Sequence, residues 1–130
     1  MTARVVELVG VYHANGSLRG ELAYAVGKLL GTAHCALCDI THAVVRRKPA
    51  WDAMVTRLGL PVVLLHLDEL PVDVATACEL SGTPVVLGRV GEGVLVPLLD
   101  DGALEGLGSS VDAFERAVRS AASAQALTLG

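Results

Sequence analysis

From Pro61 to Leu67 the chain reads Pro-Val-Val-Leu-Leu-His-Leu, an apolar run without the alternation of a half-exposed strand, and Asp68-Glu69 closes it abruptly. A run of this kind fits a central strand covered on both faces, so helices are needed above and below it. The flanking sequence supplies them. Val5 to Tyr12 reads as a first strand, Asn15-Gly16-Ser17 as turn and cap, and Leu18 to Leu30 as a helix ended by Gly31-Thr32. Gly20 and Gly27 each weaken that helix by roughly 1 kcal/mol relative to Ala, which predicts a close helix-to-sheet contact at one or both.

Further along, Pro49 opens a helix at a position where its missing N–H costs nothing, with Trp51, Met54, Val55 and Leu58 on the apolar face and Gly59 as the stop. Val72 to Leu80 is a short helix and Gly82-Thr83-Pro84 a turn. Val85 to Arg89 and Val94 to Leu99 form a β-hairpin across Gly91-Glu92-Gly93. Ser109 or Ser110 caps a last helix that presents Val111, Phe114, Ala117, Val118 and Ala121 on one face, and residues 124–130 are expected to fray. The fold class is therefore α/β: a central mixed sheet in which Val5 to Tyr12 and Pro61 to Leu67 are parallel neighbours, with the hairpin at one side and helices on both faces.

At 130 residues the chain has the length of a single domain that buries a core without staples. It is 52% hydrophobic but only 3% aromatic, so Val, Leu and Ala build that core. A net charge of −4 disfavours nucleic acid and anionic membranes as partners, since both call for a positive surface. No segment approaches the ~20 apolar residues that cross a bilayer, and Glu7 interrupts the amino-terminal apolar stretch, which reads as a strand rather than a signal peptide. Three cysteines, an odd number, then favour reduced thiols in the cytoplasm over a disulfide framework.

Chemistry concentrates between His34 and His42, in the run His-Cys-Ala-Leu-Cys-Asp-Ile-Thr-His, which holds two of the three cysteines and two of the four histidines. A Cys-x-x-Cys pair can exchange a disulfide or supply half of a soft metal's coordination shell. In a helix, Cys35, Cys38 and His42 stand at i, i+3 and i+7 on one face; in a strand only Cys38 and His42 share a side. His13 and His66 follow the first and third strands, and His42 follows the second if the cysteine segment is extended. In a parallel sheet such carboxyl ends share one edge, where ligands bind. Imidazole with thiolate suits zinc or copper(I) far better than magnesium or calcium.

The order of elements, with Cys35-x-x-Cys38 and Thr83-Pro84, resembles the thioredoxin fold over Cys35 to Ala121. The resemblance implies one three-layer thioredoxin-like domain over residues 1–130, a redox pair at Cys35 and Cys38, and a cis Pro84 whose preceding residue, Thr83, lies against the thiols. Two registers follow. If His13 to Ser17 occupies the family's active-site loop, Cys35 to Thr41 is the next strand and the pair serves metal or packing. If Thr32 caps a short helix, Cys35 falls in its first turn, where backbone N–H groups favour the thiolate and disulfide exchange.

Lone features have plainer readings. Cys78, one turn after Val74, belongs to the core or acts as a resolving thiol. Arg46-Arg47-Lys48 is a solvated basic run or an anion site. Trp51 anchors its helix, Asp39 caps the surface or orients an imidazole, and Asp68-Glu69 and Asp100-Asp101 follow strands as polar loop ends. The leading expectation is a small soluble protein holding zinc or copper(I) through Cys35, Cys38 and His42, completed by His13, His34 or His66. Thiol-disulfide exchange with a protein thiol partner, using Cys35, Cys38, Thr83 and Pro84, is the alternative; a non-catalytic interaction protein with buried cysteines is the third.

Overall fold

A computed structural model describes residues 3–13, 36–43, 46–91, 93–108 and 110–129. The expected Asn15-Gly16-Ser17 cap, the helix Leu18 to Leu30 and its Gly31-Thr32 end lie outside them, as do His34, Cys35, Glu92 and Ser109.

The chain is α/β, and among the described residues a mixed sheet has five strands. Strand β1 (Ala3–Val11) is central, and β4 (Val62–Leu65) runs parallel to it with Leu8 opposite Val62 and Val11 opposite Leu65. On its other side β5 (Val85–Val90) is antiparallel, with Val11 opposite Val85, and β6 (Val94–Leu99) closes the hairpin on β5. The expected adjacency of the two parallel strands and the placement of the hairpin at one side are both present. Two short strands, β2 (His42–Ala43) and β3 (Arg46–Arg47), form a separate ladder.

Successive residues of β1 enter different hydrophobic clusters, as a strand's two-residue period requires. Leu8 and Tyr12 pack with Leu37 and Ile40 of α1 (Ala36–Thr41), Trp51 and Met54 of α2 (Pro49–Leu58), and Phe114 and Val118 of α5 (Val111–Ala124). Val9 and Val11 instead join Val85, Leu87 and Val74 of α3 (Val72–Ser81). An irregularity between Val5 and Glu7 shifts the phase, so Val5 joins the cluster of Leu8. Trp51 is buried with its ring 4.9 Å from Phe114, the anchoring role expected of it.

The local signals acted as their chemistry dictates. Pro49 sits in the first turn of α2, and Gly59 ends it in the left-handed region at φ 72°. Ser110 Oγ accepts from Ala113 N at 3.1 Å and caps α5.

Three expectations need correction. The third strand is neither central nor fully covered: among the described residues β4 pairs only with β1, at one end of the sheet, and all four of its residues are half-buried; it also stops at Leu65 rather than Leu67, because His66 caps a 3-10 turn, Leu67–Glu69. Asp100-Asp101 is not a plain loop end: the Asp100 carboxylate accepts from Ala103 N at 2.8 Å and starts the short helix α4 (Asp101–Glu105). The segment 124–130 is not frayed over its described part, since Leu127–Leu129 forms β7, parallel to the first residues of β1 with Ala3 opposite Leu127 and Val5 opposite Leu129.

Candidate functional site at the strand ends

The carboxyl ends of β1 and β4 meet the start of β5 at one edge of the sheet. Parallel pairing places His66 beside Tyr12, whose N–H donates to Leu65 O at 2.9 Å, and their rings stand 4.9 Å apart at 49°. Antiparallel pairing brings His13 to Thr83, with Nδ1 2.8 Å from Oγ1. The Thr83-Pro84 peptide bond is cis, as the thioredoxin resemblance implies. His13 and His66, expected at strand ends, thus flank Tyr12 at the same edge.

Helix α1 reaches this edge through its last residue. Tyr12 Oη and Thr41 Oγ1 lie 2.9 Å apart, both buried. Leu37, Ile40 and Thr41 turn inward, and Gly10 on β1 permits the approach: a Cβ there would stand 3.2 Å from Leu37 Cδ2 and 2.9 Å from Leu64 Cδ2. Cys38 is the third residue of α1, and His42 follows Thr41 as the first residue of β2. The backbone therefore carries one cysteine and one histidine to either side of the residue that bonds Tyr12.

The expected registers are each realised in half. His13, not a cysteine, stands beside Thr83, as the first register requires. Residues 36–41 are helical and not extended, which agrees with the second. Cys35 and His34 lie outside the described residues. Among the described residues no group of three or more His, Cys, Asp or Glu is placed to hold a metal ion.

Glu69 was unforeseen as a site residue, having read as a polar loop end. Its Oε1 accepts from His66 N at 2.8 Å and lies 3.0 Å from His66 Nδ1. These bonds, the backbone one foremost, hold its carboxyl below the ordinary glutamate value. The three-residue spacing from His66 was the available signal, since a capping residue and the third residue after it meet across a turn. Tyr12 and Thr41, 29 residues apart, gave no such local sign.

Of the remaining candidates, Cys78 packs on the other cluster, whereas the basic run and Asp39 adjoin Thr41. Cys78 lies half-buried on α3 against the cluster of Val9 and Val11, where burial pushes its thiol pKa up and makes it a poor nucleophile at neutral pH. Arg46 and Arg47 form β3, paired with Ala43 and His42, and Lys48 caps α2 with its N–H donating to Thr41 O at 2.8 Å. Asp39 lies inside α1. Among the described residues no helix is long and apolar enough to cross a membrane. Comparison of the chain with protein-family models, with curated proteins and with solved structures finds no match.

Proposed function

We propose that the chain is a small thioredoxin-like protein of the cytoplasm that binds one soft metal ion, zinc or copper(I), through Cys35, Cys38 and at least one histidine, His42 first among them. A parallel strand pair, a Thr-Pro turn and a closing hairpin and helix support the fold reading. The 2.9 Å contact between Tyr12 and Thr41 carries the functional one. It ties the helix that contains Cys38, and that His42 follows, to the strand end that bears His13 and adjoins His66. Thiolate and imidazole donors, carried on these two elements, are the ligand types that these two ions prefer.

A competition titration of reduced protein against a chromophoric chelator tests the proposal. Uptake of about one ion per chain is expected, with protons released and affinity falling as pH drops, because thiolates and imidazoles must shed protons to coordinate. Cys38→Ser should weaken binding by more than the roughly 10–100-fold that loss of an outer partner costs, while Cys78→Ser changes it little. Uptake of neither ion overturns the reading.

The helical conformation of residues 36–41, which include Cys38, favours a second reading, thiol-disulfide exchange. There the Cys35 thiolate attacks a partner disulfide, forming a mixed disulfide and expelling one partner thiolate. Cys38 then attacks the Cys35 sulfur, expels the second thiolate and leaves Cys35 and Cys38 oxidised. Thr83 and Pro84 would support the partner's backbone, although the Thr83 hydroxyl already meets His13. Rapid reduction of a model disulfide, lost in Cys35→Ser, together with failure to bind metal, moves the assignment to exchange.

A further inference from the structure

We infer that the outer face of α3 is a docking surface for a basic, amphipathic helix of another protein, independently of any metal. Among the large apolar residues described, Val72 and Leu80 are the most exposed, at 84% and 89%. Thr76 lies between them at four-residue spacing, so the three form one stripe along α3, opposite Val74, which is buried with Val9 and Val11. Val94, 65% exposed, adjoins this stripe: Arg89 Nη1 reaches both Asp73 Oδ2 at 2.8 Å and Gly93 O at 3.4 Å, which sets the hairpin turn beside the first turn of α3. Single exposed valines and leucines are ordinary on a protein surface, whereas a cluster with a polar border marks a contact site.

The border is acidic. Glu79 flanks the stripe beside Leu80, and Asp73 lies on its other side. Arg89 does not neutralise this face, because it also donates to Glu7 Oε1 at 3.2 Å, and two carboxylates on one guanidinium leave negative charge in excess. Between Arg57 and Arg89 the sequence has Asp68, Glu69, Asp73 and Glu79 but neither lysine nor arginine. These charges select the occupant. A second copy packed about a two-fold axis would set the acidic face against itself, and an anionic membrane would be repelled, whereas a basic segment is attracted. The stripe is straight and roughly 15 Å long, which suits a helix whose own apolar residues recur every three or four positions. Through Glu7 and Arg89 the helix is already tied to β1 and β5, so the surface is formed before a partner arrives. A contact of this length is small, so binding should be weak and sensitive to salt.

The probe is a synthetic helical peptide of roughly four turns, leucine on one face and lysine on the rest, beside the same peptide with glutamate for lysine. Each is titrated into the isotope-labelled full chain at low ionic strength, with amide shifts as the readout. The lysine peptide should shift the amides of α3 and Val94 and bind roughly 10-fold or more tightly than the glutamate peptide. Leu80→Gln should weaken it roughly 10-fold, since an anchor side chain carries much of a small contact. Glu79→Lys should weaken it and flatten its salt dependence. Asp112→Lys makes the same charge change at an exposed position of α5, on the opposite face of the sheet, and should leave binding unchanged. Equal binding of the two peptides, unchanged affinity in Leu80→Gln, or an equal loss in Asp112→Lys overturns the inference. Self-association of the chain alone in sedimentation, abolished by Leu80→Gln, also overturns it and assigns the face to a second copy.

Discussion

Tyr12 Oη lies 2.9 Å from Thr41 Oγ1, joining the end of the central strand to the last turn of α1 in a place where both residues are buried. Leu37 and Ile40 hold the same helix to the sheet by apolar packing. The hydroxyl pair adds direction, since it sets which part of the helix reaches the strand ends. Any chemistry by Cys38 or His42 depends on that alignment.

Tyr12→Phe removes one partner while keeping the ring. The net loss expected for one intramolecular hydrogen bond is about 1 kcal/mol, read as a lower midpoint in denaturant titration at unchanged slope. Thr41→Val should cost a similar amount. The double variant should cost clearly less than the sum of the two, because residues in direct contact couple. Strict additivity would show that the two hydroxyls do not interact in solution.

Gly10 sets the distance between α1 and the sheet. A Cβ there would stand 2.9 Å from Leu64 Cδ2 and 3.2 Å from Leu37 Cδ2. Leu64 is partly exposed and can yield, whereas Leu37 is fully buried and cannot swing away. Gly10→Ala should therefore lower stability by about 1 kcal/mol and Gly10→Val by about 3 kcal/mol, the range for overpacking a filled site. Under the metal reading Gly10→Val also weakens ion uptake, because it pushes the helix of Cys38 off the strand end.

Much of the frame was legible because its signals are local. Pro49, Gly59 and Ser110 each act within one turn of chain, and the run ending at Asp68-Glu69 marked a strand, although an apolar run could not show that it would stand half-buried at one end of the described sheet. What stayed hidden is non-local or short. His13 meets Thr83 across 70 residues, and only strand register decides that pairing. Strand β7 is three residues long and exists because β1 offers its first residues as a template. For the site, the Cys-x-x-Cys spacing was plain, but spacing cannot tell a helix start from a strand, and the two imply different neighbours for the thiols.

Glu115 links α2 and α5 through two arginines. Arg57 donates to Oε1 at 2.7 and 3.1 Å, and Arg119 to Oε2 at 3.0 and 3.1 Å. The hydrogen bond from Arg57, then that from Arg119, holds the Glu115 carboxyl below its ordinary value. A carboxyl whose pKa is lower in the folded chain contributes its full stabilisation above the unfolded value of about 4.3, and loses it as pH falls through the folded one. The difference in Tm between wild type and Glu115→Gln should thus be present at neutral pH and shrink in acid. Both arginines are about half exposed, so about 1 M salt should shrink it as well. A difference that persists at low pH would assign the effect to packing instead.

Ala126 turns the chain from α5 into β7 at φ 55°, in the left-handed region where a Cβ crowds the backbone. That conformation costs a non-glycine residue roughly 1–2 kcal/mol, while glycine there gives back about 0.5–1 kcal/mol as extra freedom of the unfolded chain. Ala126→Gly should accordingly raise stability by about 0.5 kcal/mol, and Ala126→Val should lower it, since a β-branched side chain fits that region worst. Leu127 and Leu129 pack against the main core cluster beside Val5. Deletion of residues 126–130 removes both leucines and uncovers part of β1, which should cost about 2 kcal/mol or more. Measured by denaturant midpoint, a deletion without effect would mean that β7 does not hold to β1 in solution, and the gain from Ala126→Gly would then vanish too, because the turn would have no strand to place.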